Sequence, residues 1–157
     1  MNQSILAHRQ KIDNLFKKFA SFTEPEIQGE WSKYLCILIS GFIEESLRVL
    51  LEKYCENKAS PNIQKFVTKQ IQDITNCKTS RITEILGKFS PIWESEFTNK
   101  IQAESKIIDE IKNSIDSVVI NRHKIAHGKS VGMSYNNVST WYKNVKKAVE
   151  ILEEIIK

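Results

Sequence analysis

From Pro25 to Asn57 the chain places apolar side chains on almost every face of a helix and meets no further proline. Trp31, Leu35, Leu38, Phe42, Val49 and Tyr54 recur at helical spacing. Ile37, Ile39, Ile43, Leu47, Leu50 and Leu51 widen that stripe to most of the circumference. A helix that is apolar nearly all round must be surrounded by other elements, because no face of it is satisfied by water. The run therefore predicts the central helix of a bundle. Its longest apolar stretch, Tyr34 to Ile43, is interrupted by Ser40 and Gly41 and closed by Glu44-Glu45. That is about half of the ~20 residues a membrane span needs, so a buried helix is expected and no membrane association.

The rest of the chain supplies the partners. Glycine and proline number only 5 and 3 in 157 residues, which argues against a turn-rich β fold. Ser4 is placed to cap a first helix reaching about Phe22, with Ile5, Ile12, Leu15, Phe16 and Phe19 on one face. The loop Asn57 to Asn62 precedes a helix from about Pro61 to Asn76, and two short helical segments follow, Arg81 to Phe89 and one opened by Ser90-Pro91. A long helix from about Glu104 to His127 carries Ile107, Ile108, Ile111, Ile115, Val118 and Val119 at helical spacing. Asn136 or Asn137 is placed to cap a last helix with Val138, Trp141, Tyr142, Val145, Val149 and Leu152 on one face. The expected fold is all-α: one domain over residues 1–157, an up-and-down bundle of four to five main helices plus short helices.

Cys36, Cys55 and Cys77 are odd in number and form no CxxC pair, which points to a reducing, cytoplasmic setting without disulfides or structural zinc. The charges at His8, Arg9, Lys11 and Asp13 leave no room for the apolar core of a secretion signal. No cofactor is expected. The formal net charge of +4 permits an anionic partner without requiring one.

The chemistry gathers at the end of the long helix, in Asn121-Arg122-His123-Lys124-Ile125-Ala126-His127-Gly128-Lys129. Arg122 continues the line of Ile111, Ile115 and Val118, so the pattern carries a permanent cation to the edge of the core. Such a guanidinium either meets a carboxylate or faces a cleft that admits an anion. Glu45 lies in the stripe of the central helix, and an Arg122–Glu45 contact is expected, with Glu44 as the fallback; a local pair with Arg48 at i, i+3 is the competing arrangement for Glu45. Gly128 is the expected left-handed stop of the helix.

Three readings of His123 and His127 stand side by side. They can be a structural pair at a helix end. They can be metal ligands, being four apart on one face, although Lys124 occupies the place that the glutamate holds in HExxH enzymes and no third ligand follows closely. Or His127 can move protons in metal-free phosphodiester cleavage while Arg122 holds the phosphate. On a regular helix Arg122 and His127 differ by about 140°, so they converge more readily across a two-fold dimer than within one chain.

At these residues the sequence resembles the HEPN superfamily, small helical bundles marked by an Arg-x4–6-His motif with a polar residue after the arginine. Arg122 to His127 has that form, with His123 as the polar residue. The Ala126-His127-Gly128 ending and the following helix with Trp141-Tyr142 are most similar to the RiboL-PSP-HEPN branch or similar stand-alone HEPN domains. The resemblance implies a homodimer with a composite site and metal-independent RNA endonuclease activity that leaves a 2′,3′-cyclic phosphate. It implies Arg122 and His127 as catalytic; His123, Asn121, Glu45 and Lys129 are expected in support. It also implies RNA as substrate, a role as toxin or in antiphage or stress responses, and an antitoxin or defence-system protein as partner. In one such system the motif continues as His-x-Tyr; here that position is Lys129. Some members of the superfamily are catalytically silent and serve as interaction or RNA-binding modules.

Overall fold

The computed structural model describes residues 2–157. Among these residues seven helices follow one another: α1 (Gln3–Phe19), α2 (Pro25–Lys58), α3 (Pro61–Ile71), α4 (Thr79–Phe89), α5 (Pro91–Ala103), α6 (Glu110–Ala126) and α7 (Tyr135–Ile155). No strand occurs among the described residues. Proline opens α2, α3 and α5 at the first helical position, where its missing N–H costs nothing.

α2 is the axis, as its all-round apolar pattern requires. It packs on α1, α3, α6 and α7. Leu35, Cys36, Ile39, Phe42, Ile43, Leu47, Leu50 and Leu51 are buried in its core face. α7 lies against α2, α5 and α6. Its hydrogen bonds to α1 run antiparallel: Tyr135 Oη donates to the Phe16 carbonyl at 3.1 Å, Tyr142 Oη to the Arg9 carbonyl at 3.2 Å, and the Asn2 amide to Glu153 Oε1 at 2.7 Å. A buried polar link ties α7 to α6, where Asn144 Nδ2 donates to Ser114 Oγ at 2.9 Å. Among the described residues no helix is long and apolar enough to cross a membrane.

Several boundaries differ from the sequence expectation. The first cap is Asn2, whose side chain accepts from the Ser4 amide, and the helix ends at Phe19. α3 stops at Ile71, because the segment after it is held from outside: Glu44 Oε1 accepts from the Asn76 amide at 2.9 Å, and Asp116 Oδ1 accepts from the Thr79 amide at 2.8 Å. Asp116 thus caps α4 from another helix, a contact no local pattern announces. The long helix begins six residues later than Glu104, at Glu110, after Asp109 in the left-handed region at φ 58°. Ile107 and Ile108 consequently stand in a loop, 70% and 80% exposed. At α7 the cap is Ser134, in a capping box with Asn137.

Candidate functional site at the end of α6

α6 is anchored by one face and presents the other. Ile111, Ser114, Ile115, Val118 and Val119 are buried. Cys36 of α2 reinforces the anchor: its thiol donates to the Val118 carbonyl at 3.4 Å and lies against the Arg122 backbone. Burial pushes that thiol up to about 12, outweighing the backbone contact, so Cys36 is a neutral packing group and not a nucleophile.

The helix then stops in a defined turn. His127 is the C-cap, and its N–H bonds the His123 carbonyl at 3.2 Å. Gly128 has φ 66°, its N–H bonds the Ile125 carbonyl at 3.0 Å, and the Lys129 N–H bonds the Lys124 carbonyl at 2.9 Å. These two bonds are the Schellman pattern, and the left-handed glycine expected from sequence is present. The turn fixes the backbone on both sides of His127. Gly128→Ala is therefore expected to cost about 1–2 kcal/mol, the left-handed penalty of a side chain, read as a lower melting temperature. Gly128→Asn is expected to lose less. Equal stability of Gly128→Ala and the unmutated chain would contradict this.

Arg122 is half-buried at the rim of the core, while His123, Lys124 and His127 are exposed. His123 and His127 lie one turn apart, with ring centroids 4.3 Å apart and planes inclined by 56°. Among the described residues, no ion pair reaches the Arg122 guanidinium, and no hydrogen bond engages the side chains of Arg122, His123 or His127. One guanidinium and two imidazoles at this helix end thus have no hydrogen-bond or ion-pair partner among the described residues.

The expected Arg122–Glu45 contact does not form. Glu45 Oε2 accepts from Arg48 Nη2 at 2.6 Å, the local i, i+3 pair, and Glu44 serves the Asn76 amide. Both alternatives lie on the same helix as Glu45 or on the linker beside it, so neither needs a reach across to α6. Asn121 Nδ2 donates to the Ser117 carbonyl at 2.8 Å, one turn back along its own helix, and Lys129 lies exposed after the stop. His8, the third histidine, sits on α1 with its ring edge to face with Phe42 at 5.4 Å. Burial holds its pKa below the ordinary 6.5, with Lys11 adding to that and Glu45 opposing it. It belongs to the core edge and not to the α6 end.

One feature beside the site escaped the periodicity argument. Ile27, Trp31, Tyr34 and Ile37 form a stripe along α2 that is 37–41% exposed. Trp31 stacks on Phe19 with centroids 4.1 Å apart and meets Tyr34 edge to face at 5.8 Å. Ile37 directly follows Cys36, the residue that touches the Val118–Arg122 turn of α6. On α6 itself Ile120 is 40% exposed. Together these side chains leave an apolar strip exposed on α2 and α6.

Among the described residues the fold is a strandless helical bundle whose sixth helix ends in a capped turn carrying Arg122, His123 and His127. The chain belongs to the RiboL-PSP-HEPN family, whose model matches residues 3–157. Comparison with curated proteins and with solved structures found no match.

Proposed function

We propose that the protein is a metal-independent RNA endonuclease that works as a homodimer, in the role of a toxin or an antiphage or stress effector held in check by a partner protein. The observation that carries this reading is the free guanidinium of Arg122 together with the open imidazole of His127 at one rigid helix end. RNA supplies what such a pair handles. The 2′-hydroxyl attacks the adjacent phosphorus, the bond to the 5′-oxygen breaks, and the products are a 2′,3′-cyclic phosphate and a 5′-hydroxyl. Arg122 binds the phosphate and stabilises the negative charge that grows on its oxygens. His127 takes the proton from the attacking hydroxyl, or delivers one to the leaving oxygen.

On a regular helix the two groups diverge by about 140°, which is why the active form is taken to be a dimer. A two-fold axis near the α6 ends gathers two arginines and two histidines around one cleft, as two sites that each pair Arg122 of one chain with His127 of the other. The α2 stripe through Tyr34 and Ile37 is the surface offered for that contact. Ile37→Glu is expected to halve the mass in solution, read by light scattering, while changing single-chain stability by only about 0.5 kcal/mol, as befits a surface position. An unchanged mass would rule out the stripe as the contact. The same divergence favours a second reading, a catalytically silent helical dimer serving as an interaction or RNA-binding module.

Incubation of the purified protein with RNA in EDTA separates the two. Cleavage products ending in a 2′,3′-cyclic phosphate support the ribonuclease. A dimer that leaves structured and unstructured RNAs intact supports the silent module.

A further inference from the structure

We propose that His123 and His127 together form a chelate for a divalent transition cation, Zn²⁺ above all, that reversibly occupies the end of α6. Binding by the two rings is a property of their geometry alone. Its consequence for catalysis rests on the ribonuclease reading given above.

The two imidazoles lie at i, i+4 on one helical face, with centroids 4.3 Å apart. Zinc–nitrogen bonds of about 2.0–2.1 Å bring two ligand nitrogens to roughly 3 Å from each other. Ring nitrogens stand about 1 Å off their centroids, so ring rotation reaches that separation and the backbone need not move. Both rings are exposed, and neither side chain is engaged by a hydrogen bond among the described residues. The Schellman turn already fixes the backbone at His127, which lowers the cost of ordering the pair.

The surroundings select the class of metal. From Asn121 to Ser134 there is no aspartate or glutamate, so hard cations such as Mg²⁺ and Ca²⁺ find no oxyanion ligand. Imidazole pairs suit Zn²⁺, Ni²⁺ and Cu²⁺. Among the described residues no group of three or more His, Cys, Asp or Glu side chains converges on a metal. Water therefore completes the coordination. Arg122, Lys124 and Lys129 oppose the added charge and keep binding weak enough to reverse. A metal on His127 takes the lone pair that would accept the proton of the 2′-hydroxyl. Zinc is thus an inhibitor of the site and not its cofactor.

The test is calorimetric titration of ZnCl₂ into the metal-free full chain, beside His123→Ala, His127→Ala and His8→Asn. Each of the first two variants is expected to weaken binding by about tenfold or more, because a chelate is reduced to a single ligand. His8→Asn is expected to match the unmutated chain. Single-histidine variants that bind as tightly as the unmutated chain, or no binding at millimolar zinc, overturn the chelate. The catalytic arm compares cleavage in EDTA with cleavage in zinc. Inhibition that follows the calorimetric curve and is relieved by EDTA supports the block; undiminished cleavage at saturating zinc overturns it. A chain that binds zinc through both histidines but cleaves no RNA in EDTA leaves the chelate standing and removes the ribonuclease reading.

Discussion

Arg122→Ala is expected to lower RNA cleavage by roughly a hundredfold to a thousandfold, the loss typical of removing one preorganised charge stabiliser from a transition state. The side chain is half-buried, and among the described residues no carboxylate pairs with it, so its removal strands no buried partner. The fold should therefore survive, and the effect should appear in the chemical step. Arg122→Lys keeps the charge but not the planar fork that meets two phosphate oxygens, and should recover only part of the rate. His127→Ala is expected to cost about 10²–10⁴-fold, the contribution of a positioned acid–base group. His123→Ala should cost less, since its proposed part is support beside the reacting imidazole. Single-turnover cleavage in EDTA, with melting curves as the control, measures all four. Full activity in Arg122→Ala or His127→Ala would remove that residue from the mechanism.

The largest effect on stability is expected at Phe42. Its side chain is fully buried at the middle of α2. Its ring meets His8 of α1 at 5.4 Å and Tyr142 of α7 at 6.4 Å, so it joins three helices. Phe42→Ala leaves a cavity that neighbours on three sides cannot close together, at about 3–5 kcal/mol. For a chain of this length that corresponds to a fall in melting temperature of roughly 6–20 °C. Ile108→Ala, at a side chain 80% exposed, is the matched control and should change stability by no more than about 0.5 kcal/mol. Comparable losses at both positions would contradict the placement of the core around α2.

The architecture was legible because helix-forming information is local. The stripes of α1 and α7, the prolines that open α2, α3 and α5, and the glycine that closes α6 all act within a few residues of themselves. What escaped was of two kinds. The first was tertiary capping. Asp116 reaches the start of α4 and Glu44 reaches the linker before it, across 37 and 32 residues of chain. Nothing near Thr79 or Asn76 signals those partners. The second was the direction of a face. α2 is apolar all round, so its sequence has no polar side to reveal which apolar side stays uncovered. Trp31 and Ile37 read as core for that reason and are 37% and 40% exposed.

The α6 end shows the same division. Periodicity put Arg122 at the rim of the core and Gly128 in the left-handed stop, and both follow from the helix alone. The partner assigned to Arg122 did not. Glu45 lies along the right stripe, but Arg48, three residues on, takes the carboxylate. Local pairing is favoured because it orders fewer groups than a contact between helices. The uncommitted guanidinium that results is more useful to an anionic ligand than the ion pair would have been.

The most direct test of a shared site mixes two inactive proteins. Arg122→Ala and His127→Ala chains, dissociated and reassociated in equal amounts, form about half mixed dimers. Each mixed dimer carries one intact Arg122 facing one intact His127 from the other chain. The composite site predicts that RNA cleavage in EDTA returns to about a quarter of the unmutated level, since half the dimers regain one of two sites. Cleavage that stays at the background of the separate variants, with mixed dimers verified by mass, would contradict it.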